Sequence, residues 1–204
     1  MLTLYYAPGA CSMASHIVLE ESAEKYEPRQ VDLANGEQRT EAYLKLNPQG
    51  RVPVLGLDDG TPLAENTAIL PYLGKRFSLW PTEPKAEAKA LATIGYFAAS
   101  VHPAHAHVGR PERYTADQSA FPGIKEAGLK TFHGYLKQID GMLAGREWLG
   151  EKYSVLDAYG FIFYVWGVRR ELPVSELKNY TAFKDRMLKR PATARVLEDE
   201  KIKV

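Results

Sequence analysis

The sequence predicts an α/β layer followed by an all-helical domain, and three observations carry that prediction. Short apolar runs alternate with helical periodicity up to residue 78. Strand signals vanish after residue 85. Between them lies a proline-containing break, Leu79–Lys85 (LWPTEPK). The 204 residues suffice for one large domain or two small ones, and the break divides them into 1–78 and 86–204.

The first part opens on an apolar strand, Leu2–Tyr6, ended by Pro8-Gly9. A helix is predicted over Ser12–Glu24, where Met13 with Ile17 and Ala14 with Val18 form one apolar stripe. Glu27–Leu33 reads as a second strand and Glu41–Leu46 as a short helix closed by Asn47-Pro48. Val52–Leu57 and Thr61–Ala64 flank Asp59-Gly60, a hairpin signal, and a helix follows over Asn66–Phe77 with Pro71 inside it. This order mixes parallel and antiparallel pairing. In the second part, segments 86–108, 124–144, 155–170 and 176–189 are helical in period.

Composition excludes several classes. Lys plus Arg number 26 against 25 Asp plus Glu, a net charge of +1, so no nucleic-acid partner is expected. The charge divides unevenly: residues 1–77 hold 7 basic and 10 acidic side chains, whereas 78–204 hold 19 and 15. That opposition favours contact between the parts or between subunits. One cysteine excludes an internal disulfide and any multi-cysteine zinc site. Nowhere do ~18 apolar residues run uncharged, so no membrane span is expected. The first residues lack a basic and then apolar leader, which makes the cytoplasm the expected location.

Four motifs bear on chemistry. Cys11 falls between a strand and a helix start, where free N–H groups stabilise an anion and lower a thiol pKa; the residue type alone leaves a reactive and a buried structural role both open. Ser12 beside it is a candidate N-cap and an alternative hydroxyl donor. Pro53 opens a strand and leaves the backbone polar groups of Val52 free for an extended ligand. Asn66 reads as an N-cap, with anion-binding amides behind it and the Glu65 carboxylate alongside, a pairing suited to an α-amino-acid head group. Ser154 and Asp157 form a capping box, a folding signal. His102, His105 and His107 suggest a metal site. Pro103 interrupts their helix, however, His107 points away from His102 and no carboxylate stands at ligand spacing. No metal is therefore expected, and hydrogen bonding or proton chemistry in a cleft is favoured.

In combination, LYYAPGACSMASHIVLEE, LNPQGRVPVLGLDDGTPLAENTAILPYL and EKYSVLDAYGFIFYVW resemble the glutathione S-transferases, most closely the bacterial beta class, over nearly the whole chain. The resemblance implies a thioredoxin-like N-terminal domain, an all-helical C-terminal domain and a homodimer with active sites near the subunit interface. It implies glutathione as co-substrate, with Cys11 as the characteristic active-site cysteine and His102 near the bound thiol. Val52 would pair with the cysteinyl backbone, Pro53 would be the cis-proline, and Glu65 would read the γ-glutamyl amine. Asn66 replaces the usual serine, with its amide as donor to the γ-glutamyl carboxylate; Ala10, Arg51 and His105 complete the expected glutathione contacts. No basic residue stands in ANGEQ, although Arg39 is near, and Gly95-Tyr96 occupies the place of a polar residue supplied by the partner subunit. The expected activity is conjugation of glutathione to small hydrophobic electrophiles held near His102, His105 and Tyr114. The alternatives are a glutathione-dependent thiol–disulfide oxidoreductase or lyase using Cys11, a non-catalytic glutathione-binding protein, and a histidine metal hydrolase.

Overall fold

The computed structural model describes residues 1–204. Four strands, β1 (Thr3–Tyr6), β2 (Glu27–Gln30), β3 (Val54–Gly56) and β4 (Pro62–Ala64), form one sheet in the order β2-β1-β3-β4. β1 runs parallel to β2, with Thr3 opposite Glu27, because helix α1 (Met13–Ser22) supplies the crossover. β3 is antiparallel to both neighbours, pairing Leu4 with Leu55 and Val54 with Ala64. Helices α2 (Glu41–Leu46) and α3 (Asn66–Arg76) complete this thioredoxin-like layer. Each strand is one to three residues shorter than its apolar run, since pairing stops where the partner strand ends.

Beyond it the chain is helical: α4 (Pro84–Tyr96), α5 (His102–Gly109), α6 (Phe121–Met142), α7 (Val155–Arg169), α8 (Lys178–Leu188) and α9 (Pro191–Asp199). A wide π turn over Phe97–Val101 joins α4 to α5. Its cause is local: Pro103 has no N–H to donate back along the helix, and the wider turn accommodates the gap. The capping box at α7 forms, with the Ser154 N–H donating to Asp157 at 2.8 Å and the Leu156 N–H donating to the Ser154 hydroxyl at 3.3 Å.

Three expectations are corrected. The helix α1 is not amphipathic: every residue from Met13 to Leu19 is buried, because α1 is packed against α3, α7 and α9 as well as the sheet. The break at Leu79–Lys85 is no open linker. Trp80 is buried there and donates to Glu87, and the Leu79 carbonyl accepts from the Val155 N–H, so one apolar core runs through both parts. Helix α9, unread in the polar C-terminal sequence, packs on α1. The charge opposition appears there as contacts. Arg190 grips Glu21 with two nitrogens at 2.6 and 2.8 Å, and Arg195 meets Glu20 at 2.8 Å.

Candidate functional site

Cys11 lies in the turn between β1 and α1, at the junction of two adjoining cavities. The first, about 460 Å³, is bounded by the β1–α1 turn, Arg51 and the ends of α5 and α7. The second, about 250 Å³, runs under Pro53, Glu65, Asn66 and Tyr114. Cys11, Arg51, Val52, His102, Ala106 and Arg113 line both. The cleft thus gathers Ala10 and His105 on one side of the thiol and Pro53, Glu65 and Asn66 on the other.

The β1–α1 turn is built by its own residues. The buried Ser12 hydroxyl accepts from the Ala7 N–H at 3.1 Å and donates to the Ala7 carbonyl at 3.2 Å. Trp166 of α7 donates to the Gly9 carbonyl at 2.9 Å, and the Gly9 N–H donates to Glu200 at 2.7 Å. Ser12 therefore neither caps α1 nor faces the cleft, which corrects its expected role as a donor.

The Cys11 thiol donates to the Val52 carbonyl at 3.4 Å, beside the cis Val52–Pro53 bond. Its pKa moves opposite to expectation. Burial, aided by the Glu65 carboxylate, pushes it up to about 12, against the opposing pull of its own N–H, Arg110 and Arg51. The expected lowering is present through the Cys11 N–H, but burial outweighs it.

Asn66 is also corrected. It is the first residue of α3, not its cap, and its side chain turns inward: it accepts from Ser15 at 3.0 Å and donates to the Cys11 carbonyl at 2.9 Å. Its amide ties α3 to the cysteine turn while the residue still lines the second cavity, and the backbone N–H groups of Asn66 and Thr67 have no acceptor within the helix. Glu65 precedes them with φ 71°, a conformation costing a non-glycine residue roughly 1–3 kcal/mol, and its exposed carboxylate makes no ion pair or hydrogen bond.

Across the cleft, His105 stacks on Trp166 with ring centroids 4.1 Å apart, and His102 meets the same ring edge-on at 5.0 Å. Burial and surrounding arginines lower His102 to about 4 and His105 to about 3, so both are neutral near pH 7. Arg170 donates through Nε to His105 Nε2 at 3.3 Å, which requires that nitrogen to be unprotonated. His107 is turned aside, stacked on Tyr114 at 3.8 Å with Nδ1 2.7 Å from the Pro103 carbonyl.

Sequence reading missed Gln38, Arg110, Trp166, Arg169 and Arg170 in the first cavity, Tyr159 in the second and Arg113 in both. Arg39, expected near the site, lines neither. The missed signal was helical phase: Trp166, Arg169 and Arg170 end the helix that starts at the recognised capping box.

Residues 1–75 match the family described as glutathione S-transferase, N-terminal domain. The chain is 32% identical to glutathione S-transferase GstA of Escherichia coli O157:H7, over 99% of this chain and all of that protein. The chain belongs to the glutathione S-transferase family. Within this family it resembles a transferase homologue from Sulfitobacter solved with bound glutathione (34% identity, TM-score 0.93, 100% and 99% of the two chains). It also resembles the beta-class glutathione S-transferase of Sphingomonas chungbukensis (28%, TM-score 0.85, 97% and 98%). A more distant relative is the disulfide-bond oxidoreductase YfcG of Escherichia coli K12, 26% identical over 97% of this chain and 94% of that one.

Proposed function

We propose that this transferase binds glutathione along the Val52–Glu65 side of the cleft and joins its thiolate to an electrophilic carbon held beneath α5 and α7. The observation that supports this most is the convergence on Cys11 of a free carboxylate, free first-turn amides and an unpaired strand start. In this reading Glu65 takes the γ-glutamyl ammonium, and the Asn66 and Thr67 N–H groups take the neighbouring carboxylate. The Val52 N–H, which donates to no protein carbonyl, pairs with the cysteinyl backbone. Arg51 stands for the missing basic residue at the glycine end, beside Gln38, whose side-chain oxygen is buried without a partner.

The chemistry then assigns Cys11 a donor role. At neutral pH it stays protonated, so it donates to the glutathione sulfur instead of attacking. The glutathione thiol releases its proton to solvent, and the sulfur anion is held by the Cys11 S–H and the charges of Arg51 and Arg110. A sulfur lone pair forms the new C–S bond while the leaving group departs with its electron pair. His102, neutral and weakly basic, serves as a hydrogen-bonding wall.

Calorimetric titration with glutathione and conjugation of 1-chloro-2,4-dinitrobenzene test this reading. The parent binds and turns over, and Cys11→Ala lowers kcat about tenfold, a modest loss because a thiol is a weak donor. Absence of glutathione binding overturns the reading. A disulfide-reducing activity is the second reading, favoured by the likeness to YfcG. It holds if Cys11→Ala abolishes reduction of a glutathione mixed disulfide while conjugation persists. The proposed assembly is a homodimer, carried by the family resemblance, and sedimentation equilibrium tests it. No helix is long and apolar enough to cross a membrane, and a cytoplasmic location is part of the proposal.

A further inference from the structure

Five arginines, at positions 51, 110, 113, 169 and 170, line the first cavity, and no aspartate or glutamate does. The arginine ion pairs of this protein lie elsewhere, at Arg29, Arg76, Arg190 and Arg195. Such uncompensated charge around a concavity is costly unless an anion joins it: burial and neighbouring guanidinium groups lower the pKa values of Arg113 and Arg170.

The guanidinium groups of Arg169 and Arg170 are also seated. Arg169 donates to the Gly9 carbonyl at 3.3 Å, and Gly9, at φ 66°, leaves the space that a Cβ would take from the guanidinium. Arg170 crosses from α7 to α5, bonded to His105, with Nη2 so close to Gly109 that a Cβ there would stand 2.7 Å from it. These two positive groups border the flat His105–Trp166 stack.

Glutathione accounts for only part of this charge. Its ammonium and one carboxylate belong with Glu65 and α3 in the proposed binding mode, and its glycine carboxylate with Arg51. Arg169 and Arg170 stand at the C-terminal end of α7 and, unlike Arg51, do not line the second cavity, where Glu65 and Asn66 lie. We infer that the second substrate is an anion whose carboxylate is held by Arg169 and Arg170 while the group that carries it lies against His105 and Trp166. This rests on the glutathione reading and adds a carboxylate to the small hydrophobic electrophile expected from sequence. The carboxylate has two sources, a carboxylate-bearing electrophile or the second tripeptide of glutathione disulfide.

The test compares 4-chloro-3,5-dinitrobenzoate with 1-chloro-2,4-dinitrobenzene, each rate divided by its uncatalysed rate with glutathione, alongside reduction of glutathione disulfide. Calorimetry with glutathione is run on the same full-length preparations. The expected result is a benzoate enhancement about tenfold above the neutral one, with the benzoate-to-neutral ratio falling about tenfold in Arg170→Gln and in Arg169→Gln and largely kept in Arg170→Lys. Raised salt should shrink the ratio. If instead only disulfide reduction depends on the two arginines, the carboxylate is that of the second tripeptide, and the anion site stands. The inference is overturned if glutathione binds but neither the benzoate preference nor disulfide turnover changes in either glutamine variant. If glutathione itself does not bind, the underlying reading falls and the inference with it.

Discussion

At Cys11 the outcome turns on competition between burial and charge. A thiol at a strand-to-helix turn is legible in sequence, but its pKa is not. The sign depends on how far the thiol is buried and on which charges approach from distant segments, here Glu65 against Arg51 and Arg110. Because the thiol pKa is raised to about 12, thiolate is scarce at neutral pH and grows only under alkaline conditions. Alkylation by iodoacetamide at pH 7.5 should therefore run about a hundredfold slower than for an ordinary cysteine, the higher nucleophilicity of the rarer thiolate offsetting part of its scarcity. Glu65→Gln removes a charge that raises the pKa, so it should speed the reaction severalfold. An unchanged rate, followed by mass spectrometry, would show that Glu65 does not act on the thiol. Asn66 teaches the same lesson from the other side: its type suggested a cap, yet two buried partners, Ser15 and the Cys11 carbonyl, outcompete solvent for its amide.

At the scale of elements, local signals read well where the physics is local. Ser154 and Asp157 define the start of α7 because a box needs only spacing, and Pro103 marks the α4–α5 discontinuity because a missing N–H is a property of the residue. Asp157 also reaches beyond its own turn, accepting from the Leu149 N–H at 2.8 Å. Asp157→Ala would leave the buried N–H groups of Leu149 and Ser154 without their carboxylate. A loss of about 3 kcal/mol in chemical unfolding is expected; a change under about 0.5 kcal/mol would place the cap outside the cooperative core. The period of α1 misled for a complementary reason. A stripe implies one packed face, but α9 and α7 cover the others, and no residue inside α1 announces them.

Across the whole molecule the cleft is held by the chain's far end. Glu200, 2% exposed, accepts from the Gly9 N–H and bonds His16 Nδ1 at 2.9 Å, so the residue that closes α9 anchors the turn carrying Cys11. Glu200→Ala strands both partners in the core. It should lower stability by about 2–4 kcal/mol, read from thermal and urea unfolding, and should raise hydrogen exchange at residues 7–12. Exchange confined to α9 would mean that the turn stands without it. Arg190 and Arg195 reinforce this junction from the basic half against Glu21 and Glu20 of the acidic one, giving the uneven charge division a structural outlet.

By itself the sequence determined the order of elements up to α8, with α4 and α5 read as one segment, the family, and the set Cys11, Val52, Pro53, Glu65 and His102 along the cleft, because strand starts, turns and caps are written in adjacent residues. Only the tertiary structure decided the electrostatics of that cleft. Arg110, Arg169 and Arg170 line one cavity from the ends of two helices far apart in the chain, and the neutral histidines and the protonated cysteine follow first from burial between segments that sequence does not show as neighbours and only then from those charges.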